Sequence, residues 1–280
     1  MRASTARRDA AARLRAAGVA SPERDADLLL AHVLEVGLGR LPLVDDLDAT
    51  QQGRYDDLLA RRAAREPLQH LTGSAAFRHV ELAVGPGVFV PRPETELLAG
   101  WAIDEARALD RPAIVVDLCT GSGAIAKAIA DEVPAADVHA VELDEGALAW
   151  AERNLAGTGV DLRHGDLATA FDDLVGSVDV VVCNPPYIPL EAWESVAAEA
   201  RDHDPHLALF SGQDGLDAIR VLEQRASLLL RAGGVVGAEH ADVQGESAPG
   251  VFAATRRWLD VADHDDLAGR ARYLTARLAR

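Results

Sequence analysis

The chain of 280 residues is poor in several residue types, and each scarcity excludes a class of function. Two cysteines are too few for a metal site built from thiolates alone or for a disulfide framework. No apolar run approaches the roughly 18 residues of a membrane span, and the first residues lack the apolar stretch of a signal peptide. We therefore expect a cytoplasmic protein with free thiols, no membrane contact and no bound metal.

Basic residues are scarce in the larger, C-terminal part of the chain. Of a formal net charge of −17, residues 1–80 carry 12 basic and 11 acidic side chains, whereas residues 81–280 carry 16 and 34. An acidic surface repels a phosphate backbone, so we expect no direct nucleic-acid binding and favour a protein substrate. The arginine-rich stretch 61–65 is predicted to be an exposed helical face, with a partner-facing patch as the alternative.

Periodicity and turn residues divide the chain into three predicted parts. Residues 1–72 have helical spacing, with Ser21 as an N-cap and Pro22 at the first helical position, and are expected to form a small domain for substrate recognition. Residues 80–84 and 88–90 flank a Gly-Pro-Gly turn and predict a β-hairpin linker over 73–93. Residues 94–280 alternate apolar strands with helices, which is typical of an α/β catalytic domain.

A buried strand, a turn of small residues and the start of a helix follow one another over residues 114–126. This context makes Thr120, Gly121, Ser122 and Gly123 a candidate nucleotide-binding loop. The loop lacks the third glycine or the Gly-Lys-Ser/Thr ending of phosphate-binding loops, so NAD and ATP are disfavoured. A nucleoside without phosphates, S-adenosylmethionine, fits better.

Two acidic residues follow the next two predicted strands. Glu142 ends the strand 137–142, where a carboxylate can accept hydrogen bonds from both ribose hydroxyls. A plain carboxylate at a strand end is the alternative. Asp166 follows the strand 160–164 and is a candidate for the exocyclic amine of an adenine.

The tetrapeptide Asn184-Pro185-Pro186-Tyr187 directly follows the apolar run 178–183. Two successive prolines remove two N–H donors, so the carbonyls there stay available to a ligand. The Asn184 oxygen adds an acceptor and the Tyr187 ring a flat wall, which together suit a planar amide or amino group. A strand-ending turn with a buried asparagine is the alternative.

These motifs together make the chain similar to the HemK-type protein-(glutamine-N5) methyltransferases, which modify peptide chain release factors. The resemblance covers nearly the whole length and rests on residues 89–96, 117–123, 142, 184–187, 204–210 and 212–216. It implies an α/β fold with a Rossmann-like seven-stranded class I methyltransferase sheet, a small N-terminal helical domain and a β-hairpin linker. It also implies S-adenosylmethionine as cofactor, S-adenosylhomocysteine as product and the glutamine of a Gly-Gly-Gln motif as substrate.

The roles implied by the resemblance fall on the residues singled out above. The implied cofactor-binding residues are Thr120, Gly121, Ser122, Gly123, Glu142, Asp166 and Asn184. The implied substrate-binding residues are Asn184, Pro185, Pro186 and Tyr187, with Asn184, Pro185 and Tyr187 also catalytic. Two residues depart from the family pattern: Cys119 stands where glycine is common, and Leu167 where some members place an aromatic ring against the cofactor.

The remaining expectations concern the chemistry and the C-terminal part. An amide nitrogen is a poor nucleophile, so acceptors at Asn184 and Pro185 would orient it and favour the positive charge that develops during transfer. Residues 188–215 are predicted to be an irregular lid, followed by a helix over 216–231, a strand over 234–239 and a final antiparallel pair. Cys119 and Cys183 end adjacent strands and are expected to lie close. The alternatives are an amino-methyltransferase acting on adenine in nucleic acid or on another protein, and a cofactor binder without catalysis; we expect a monomer.

Overall fold

The structure is a computed structural model that describes residues 1–279, without the side chain of Ser195. The helices are α1 (Ala3–Ala16), α2 (Pro22–Leu34), α3 (Ala49–Ala63), α4 (Leu68–Thr72), α5 (Thr95–Arg107), α6 (Ala124–Glu132), α7 (Glu145–Leu155), α8 (Ala198–His203), α9 (His206–Leu209), α10 (Asp217–Leu229) and α11 (Ser247–Ala254). The strands are β1 (Ser74–Phe77), β2 (Val80–Ala83), β3 (Ile114–Leu118), β4 (Asp137–Glu142), β5 (Asp161–His164), β6 (Val178–Cys183), β7 (Leu230–Glu239), β8 (Trp258–Asp265) and β9 (Ala271–Leu278).

The chain forms two compact units. The first contains Met1–Ser74 together with Ala197–His203, and the second contains Ala75–Val196 with the described residues from Asp204 onward. The first unit is helical, and its core includes the fully buried side chains of Leu14, Leu29 and Tyr55. The Tyr55 hydroxyl donates to the Ala26 carbonyl at 2.9 Å, which satisfies its buried polar end.

The predicted start of α2 is correct in position but not in its capping bond. Pro22 occupies the first helical turn, as expected, and Ser21 stands at the N-cap position. The Ser21 side chain makes no capping hydrogen bond, so the prediction of a side-chain cap is wrong. Ser21 has φ −124° and ψ 62°, outside the extended conformation that usually aims an N-cap oxygen at the first helical N–H groups.

The predicted exposed arginine face on α3 is wrong at its centre. Arg62 is only 7% exposed and donates to Asp25 at 2.8 Å and to Glu199 at 3.2 Å. Arg65 donates to the other oxygen of Glu199 at 2.6 Å. Because a buried guanidinium must be paired, these carboxylates draw Arg62 inward. The stretch is therefore a set of internal ion pairs of the first unit rather than an open basic patch.

The predicted hairpin exists, but it lies earlier in the chain than expected. Its strands are β1 and β2, joined at Arg78, which adopts φ 50°, whereas residues 88–90 form no strand. At Ala83, the last residue of β2, both backbone groups hydrogen-bond to the Asn154 side chain. Asn154 Oδ1 accepts from the Ala83 N–H at 2.7 Å, and Asn154 Nδ2 donates to the Ala83 carbonyl at 2.9 Å. A Cβ added to Gly85 would lie only 2.6 Å from the Trp150 ring, so the backbone of Gly85 packs closely against that ring. The Gly-Pro-Gly sequence thus serves close packing instead of a hairpin turn.

The second unit is built on a seven-stranded sheet in the order β5-β4-β3-β6-β7-β9-β8, which confirms the predicted fold class. β5, β4, β3, β6 and β7 are parallel, and β9 and β8 complete the sheet as the expected antiparallel pair. Apolar side chains form separate core layers on its two faces. The carboxyl ends of the parallel strands meet at one edge, where open α/β sheets bind ligands.

The segment after β6 is more ordered than predicted. Residues 188–215 contain a 3₁₀ helix, Leu190–Ser195, and the short helices α8 and α9, so the expectation of an irregular stretch is wrong. Each of these helices is too short for periodicity to reveal it in the sequence. Among residues 1–279, no helix has the length and apolar character needed to span a bilayer.

Candidate active site

The loop after β3 is organised around a buried carboxylate that the sequence reasoning missed. Asp117 is fully buried, and its Oδ2 accepts from the Thr120 hydroxyl at 2.6 Å and from the Ala126 N–H at 3.2 Å. Among the described residues, nothing hydrogen-bonds its Oδ1. Burial raises the pKa of Asp117 to about 7, against the lowering effect of its two donors. The signal for this residue was an acid inside an otherwise apolar strand.

Left-handed backbone conformations shape the same loop. Gly121 has φ 58° and Gly123 φ 84°, and a Cβ on Gly121 would contact nothing within 4 Å. Cys119 also has φ 65°, which explains why glycine suits this position in the family pattern. Both cysteines are free thiols. Burial raises the pKa of Cys183, and the neighbouring Cys119 thiol raises it further, which confirms the prediction that the two cysteines lie close together.

Glu142 organises the backbone around the end of β4. Its Oε2 accepts from the Gly121 N–H at 2.8 Å, and its Oε1 accepts from the N–H groups of Leu143 and Asp144 at 2.9 Å each. A carboxylate offers about four lone-pair positions, so roughly one remains for a ribose hydroxyl. Burial raises the pKa of Glu142, while these donors lower it. The ribose role stays a prediction, and the geometry favours one ribose hydroxyl rather than two.

Asp166 and Leu167 are two further positions of the expected cofactor site. Asp166 is exposed, and its Oδ1 accepts from the Ala168 N–H at 2.8 Å in a local turn. Leu167 packs, half-buried, against the core layer that contains Val141. Asp166 therefore retains one carboxylate oxygen for an adenine amine, and its role remains a prediction.

Asn184 follows β6 and lies in a network that sequence reasoning did not anticipate. Its Nδ2 donates to the Thr95 hydroxyl at 3.3 Å, and that hydroxyl donates to Glu239 Oε2 at 2.7 Å. The Tyr187 hydroxyl donates to Glu239 Oε1 at 3.1 Å. Glu239 is the last residue of β7, and Cys183, the last residue of β6, pairs with Ala238 in the parallel register. The next residues along the two neighbouring chain segments are Asn184 and Glu239. Thr95 was part of the family motif, but nothing in its spacing linked it to Asn184.

The acceptors predicted for the substrate take no part in this network. Within the described part of the chain, no donor reaches Asn184 Oδ1 or the Pro185 carbonyl. In contrast, the Tyr187 carbonyl already accepts from Gln244 Nε2 at 3.0 Å. The tetrapeptide thus has two unused acceptors at its start and a fixed backbone at its end.

Phe89 and Arg92 are engaged with each other and with Asp204. Arg92 donates to Asp204 Oδ2 at 2.7 Å, and its guanidinium carbon lies 4.9 Å from the centre of the Phe89 ring. Burial raises the pKa of Asp204 to about 6, with Arg92 acting in the opposite direction. Arg92 thus links the end of the predicted linker to Asp204.

The residues at this sheet edge fit S-adenosylmethionine by their chemistry. The remaining lone pair of Glu142 suits a ligand that carries hydroxyl donors, and the unpartnered Asp117 Oδ1 is a further polar atom at this edge without a partner among the described residues. The open space beside Gly121 accommodates a ligand close to the backbone. Neither a phosphate-binding glycine pattern nor, among the described residues, a cluster of three metal-ligating side chains is present.

Comparisons with known proteins agree with this chemistry. Residues 5–73 match the family model of the PrmC N-terminal domain, and residues 115–203 match that of a methyltransferase domain. Release factor glutamine methyltransferase of Streptomyces coelicolor is 62% identical over 269 residues, which is 95% of each chain. A Streptomyces pristinaespiralis 4-amino-L-phenylalanine/4-methylamino-L-phenylalanine methyltransferase is 42% identical, covering 89% of this chain and 87% of that one. The solved hMettl16 catalytic domain has 16% identity, a TM-score of 0.52 and coverage of 80% and 82%, and shows the shared fold alone.

Fold and site together define an S-adenosylmethionine-dependent methyltransferase of class I. The chain belongs to the family of release factor glutamine methyltransferases. A relative that is 42% identical is named for an amino acid rather than for a release factor, so similarity alone does not identify the acceptor of this chain.

Proposed function

We propose that this enzyme transfers the methyl group of S-adenosylmethionine to the side-chain nitrogen, N5, of the glutamine in the Gly-Gly-Gln motif of peptide chain release factors. It acts in the cytoplasm as a monomer, without direct nucleic-acid binding. The pair of unused acceptors at Asn184 Oδ1 and the Pro185 carbonyl carries the proposal, because a primary amide presents two N–H donors in one plane.

The chain orients the nucleophile instead of deprotonating it. If Asn184 Oδ1 and the Pro185 carbonyl each accept one amide N–H, the nitrogen is held in a fixed direction and the positive charge that develops on it is stabilised. The bound cofactor supplies an electrophilic methyl group on a sulfonium. Asn184 and the Pro185 carbonyl would direct the nitrogen lone pair at that methyl group, and the amide nitrogen would lose one proton after the methyl transfer. S-adenosylhomocysteine is the second product.

The acidic C-terminal part of the chain supports a protein acceptor over a nucleic acid. Residues 81–280 carry 34 acidic and 16 basic side chains, a balance that repels a phosphate backbone. An adenine amine also presents two N–H donors and would fit the same two acceptors. Adenine in nucleic acid is therefore one alternative acceptor and a different protein is another, and an experiment must exclude both.

A second candidate acceptor is 4-amino-L-phenylalanine, which is suggested by the named Streptomyces pristinaespiralis relative. Its arylamine, like an amide, places an NH₂ group on a planar carbon that delocalises the lone pair. The same two acceptors would therefore suit both compounds, and the acceptors alone do not choose between them.

A substrate panel tests the proposal. Purified enzyme is incubated with methyl-labelled S-adenosylmethionine and, separately, a release factor, its Gly-Gly-Ala variant, nucleic acid and 4-amino-L-phenylalanine. We expect label on the release factor and none on the variant. Label confined to nucleic acid or to the amino acid would overturn the assigned acceptor.

A further inference from the structure

We propose that Thr95 and Glu239 are positioning residues that orient the Asn184 side-chain amide, so that its oxygen faces the acceptor substrate. The proposal deepens the proposed function, since it concerns how the same pocket receives a planar N–H donor. Neither residue touches the reacting atoms: Thr95 acts through Asn184, and Glu239 acts through Thr95 and through Tyr187.

The direction of each hydrogen bond follows from the inventory of donors. A carboxylate offers only acceptors, and the Thr95 hydroxyl donates to Glu239 Oε2 at 2.7 Å. Burial raises the pKa of Glu239, while the hydrogen bonds from Thr95 and Tyr187 lower it. A hydroxyl has one proton, and its remaining capacity toward Asn184 is to accept. The atom of Asn184 that lies 3.3 Å from Thr95 Oγ1 is therefore the nitrogen. A reversed amide would place two acceptors against each other.

The other oxygen of Glu239 is occupied as well. It accepts from the Tyr187 hydroxyl at 3.1 Å, and Glu239 itself is 1% exposed. One buried carboxylate thus fixes two residues of the tetrapeptide, Tyr187 directly and Asn184 through Thr95. Because buried polar networks lose much of their value when one member is unsatisfied, a change in Glu239 is transmitted to both.

Replacing Glu239 by glutamine reverses the chain of donors. Tyr187 retains an acceptor only if the new amide oxygen faces it, which turns the new NH₂ group toward Thr95. Thr95 then accepts that bond and donates to Asn184, whose oxygen must face inward. Glu239→Gln is therefore expected to turn the Asn184 NH₂ group toward the substrate, and to lower kcat by at least about tenfold, the factor that corresponds to roughly 1.4 kcal/mol.

Thr95 variants separate the hydroxyl from the volume of the side chain. Thr95→Val keeps the shape but leaves the Asn184 N–H groups without a partner, so the amide prefers to turn them outward. We expect about a tenfold lower kcat, with cofactor Kd and acceptor KM within about twofold of the parent enzyme. Thr95→Ser keeps the hydroxyl and should retain nearly full activity.

The chain contains a matched control in Glu223. This residue is 2% exposed and also accepts from a threonine hydroxyl and an aromatic donor, Thr255 at 2.9 Å and Trp258 Nε1 at 2.7 Å. Glu223→Gln imposes the same chemical change on α10, away from the tetrapeptide, and should leave kcat unchanged per folded molecule. The losses from Thr95→Val and Glu239→Gln should be far from additive, whereas those from Thr95→Val and Glu223→Gln should add.

A spectroscopic test needs no methyl acceptor. The chain has only two asparagines, Asn154 and Asn184. Protein labelled with ¹⁵N at asparagine should therefore give two side-chain NH₂ signals, with Asn154, bonded to the Ala83 and Ser122 carbonyls, as internal reference. We expect the Asn184 signal to show slow hydrogen exchange in the parent and in Thr95→Ser, and fast exchange in Thr95→Val and Glu239→Gln. Equal Asn184 exchange in all four proteins would overturn the proposal.

The kinetic series separates failure of this proposal from failure of the proposed function. If the parent enzyme labels the release factor but Thr95→Val keeps its kcat, the function stands and the positioning role falls. If the parent labels another acceptor from the panel, the function falls, and the same variants are measured on that acceptor and by the NH₂ exchange. Loss of cofactor binding in proportion to kcat would also contradict the proposal, because it would indicate a structural role.

Discussion

Replacing Glu142 by glutamine tests how one carboxylate supports both the loop and the cofactor. Glu142 accepts from the N–H groups of Gly121, Leu143 and Asp144, and each bond to a charged acceptor is worth about 1.5–3 kcal/mol. A glutamine has one acceptor oxygen. Facing Leu143 and Asp144, it turns its NH₂ group toward the Gly121 N–H and leaves that donor unpaired.

The expected magnitude follows from that single lost bond. Removing a buried charge offsets part of the loss, since burial raises the pKa of Glu142 and so disfavours the ionised form. We therefore expect Glu142→Gln to lower the free energy of unfolding by about 1–3 kcal/mol. If a ribose hydroxyl also uses this carboxylate, cofactor affinity falls by about tenfold or more, because each 1.4 kcal/mol is tenfold in Kd.

Two measurements read these effects separately. Chemical denaturation without ligand gives the stability change, and titration calorimetry with S-adenosylhomocysteine gives the change in Kd. Asp144→Asn is the control on the same loop, because Asp144 caps α7 through the Ala147 N–H and asparagine caps equally well. Parent-like stability of Glu142→Gln would refute the hydrogen-bond reasoning, and parent-like affinity would refute the ribose assignment.

Three further predictions follow from the same contacts. Asn184→Ala should lower kcat about 10²–10³-fold, the scale of a single preorganised polar group, with S-adenosylhomocysteine affinity nearly kept in calorimetry. Because Asp117 has its pKa raised to about 7 in the folded state, the native protein binds the extra proton. The stability of the parent relative to Asp117→Asn should therefore fall as pH rises from 5 to 7.5, by at most about 1.4 kcal/mol per pH unit in calorimetric melts, and a pH-independent difference would contradict this. Gly215→Ala should destabilise the protein by about 2–4 kcal/mol in denaturant melts, because the new Cβ would meet the Tyr187 carbonyl and lie 2.7 Å from Gln244 Nε2. The control Gly269→Ala should cost only about 1 kcal/mol, because Gly269 has a similar φ of 74° but nothing lies within 4 Å of its new Cβ.

Local pattern was enough to predict the central strands and the loops that follow them, whereas the seven-stranded sheet was an expectation from the family resemblance. The strands at 114–118, 137–142 and 178–183 are short apolar runs bounded by polar or turn residues, so their limits are visible in the sequence. Glu142 and Asn184 end two of these strands, and the parallel order brings strand ends together without further information.

What sequence reasoning missed depends on contacts between distant residues. Thr95 and Glu239 are 144 positions apart, and only the register of β6 against β7 places Glu239 beside Asn184. The inward turn of Arg62 likewise depends on Glu199, which is 137 positions away. The early hairpin was missed because its turn at Arg78 contains no glycine, although Arg78 adopts φ 50°.

Mapping the methylated atom tests the central claim most directly. The enzyme is incubated with methyl-labelled S-adenosylmethionine and a release factor, and fragmentation mass spectrometry locates the label. The same reaction is run with Asn184→Ala, after its cofactor affinity has been shown to equal that of the parent. We predict label on the side-chain nitrogen of the Gly-Gly-Gln glutamine with the parent enzyme and at least about a hundredfold slower labelling with Asn184→Ala. Label at any other atom, or equal rates for the two enzymes, would contradict a pocket in which Asn184 orients a glutamine amide.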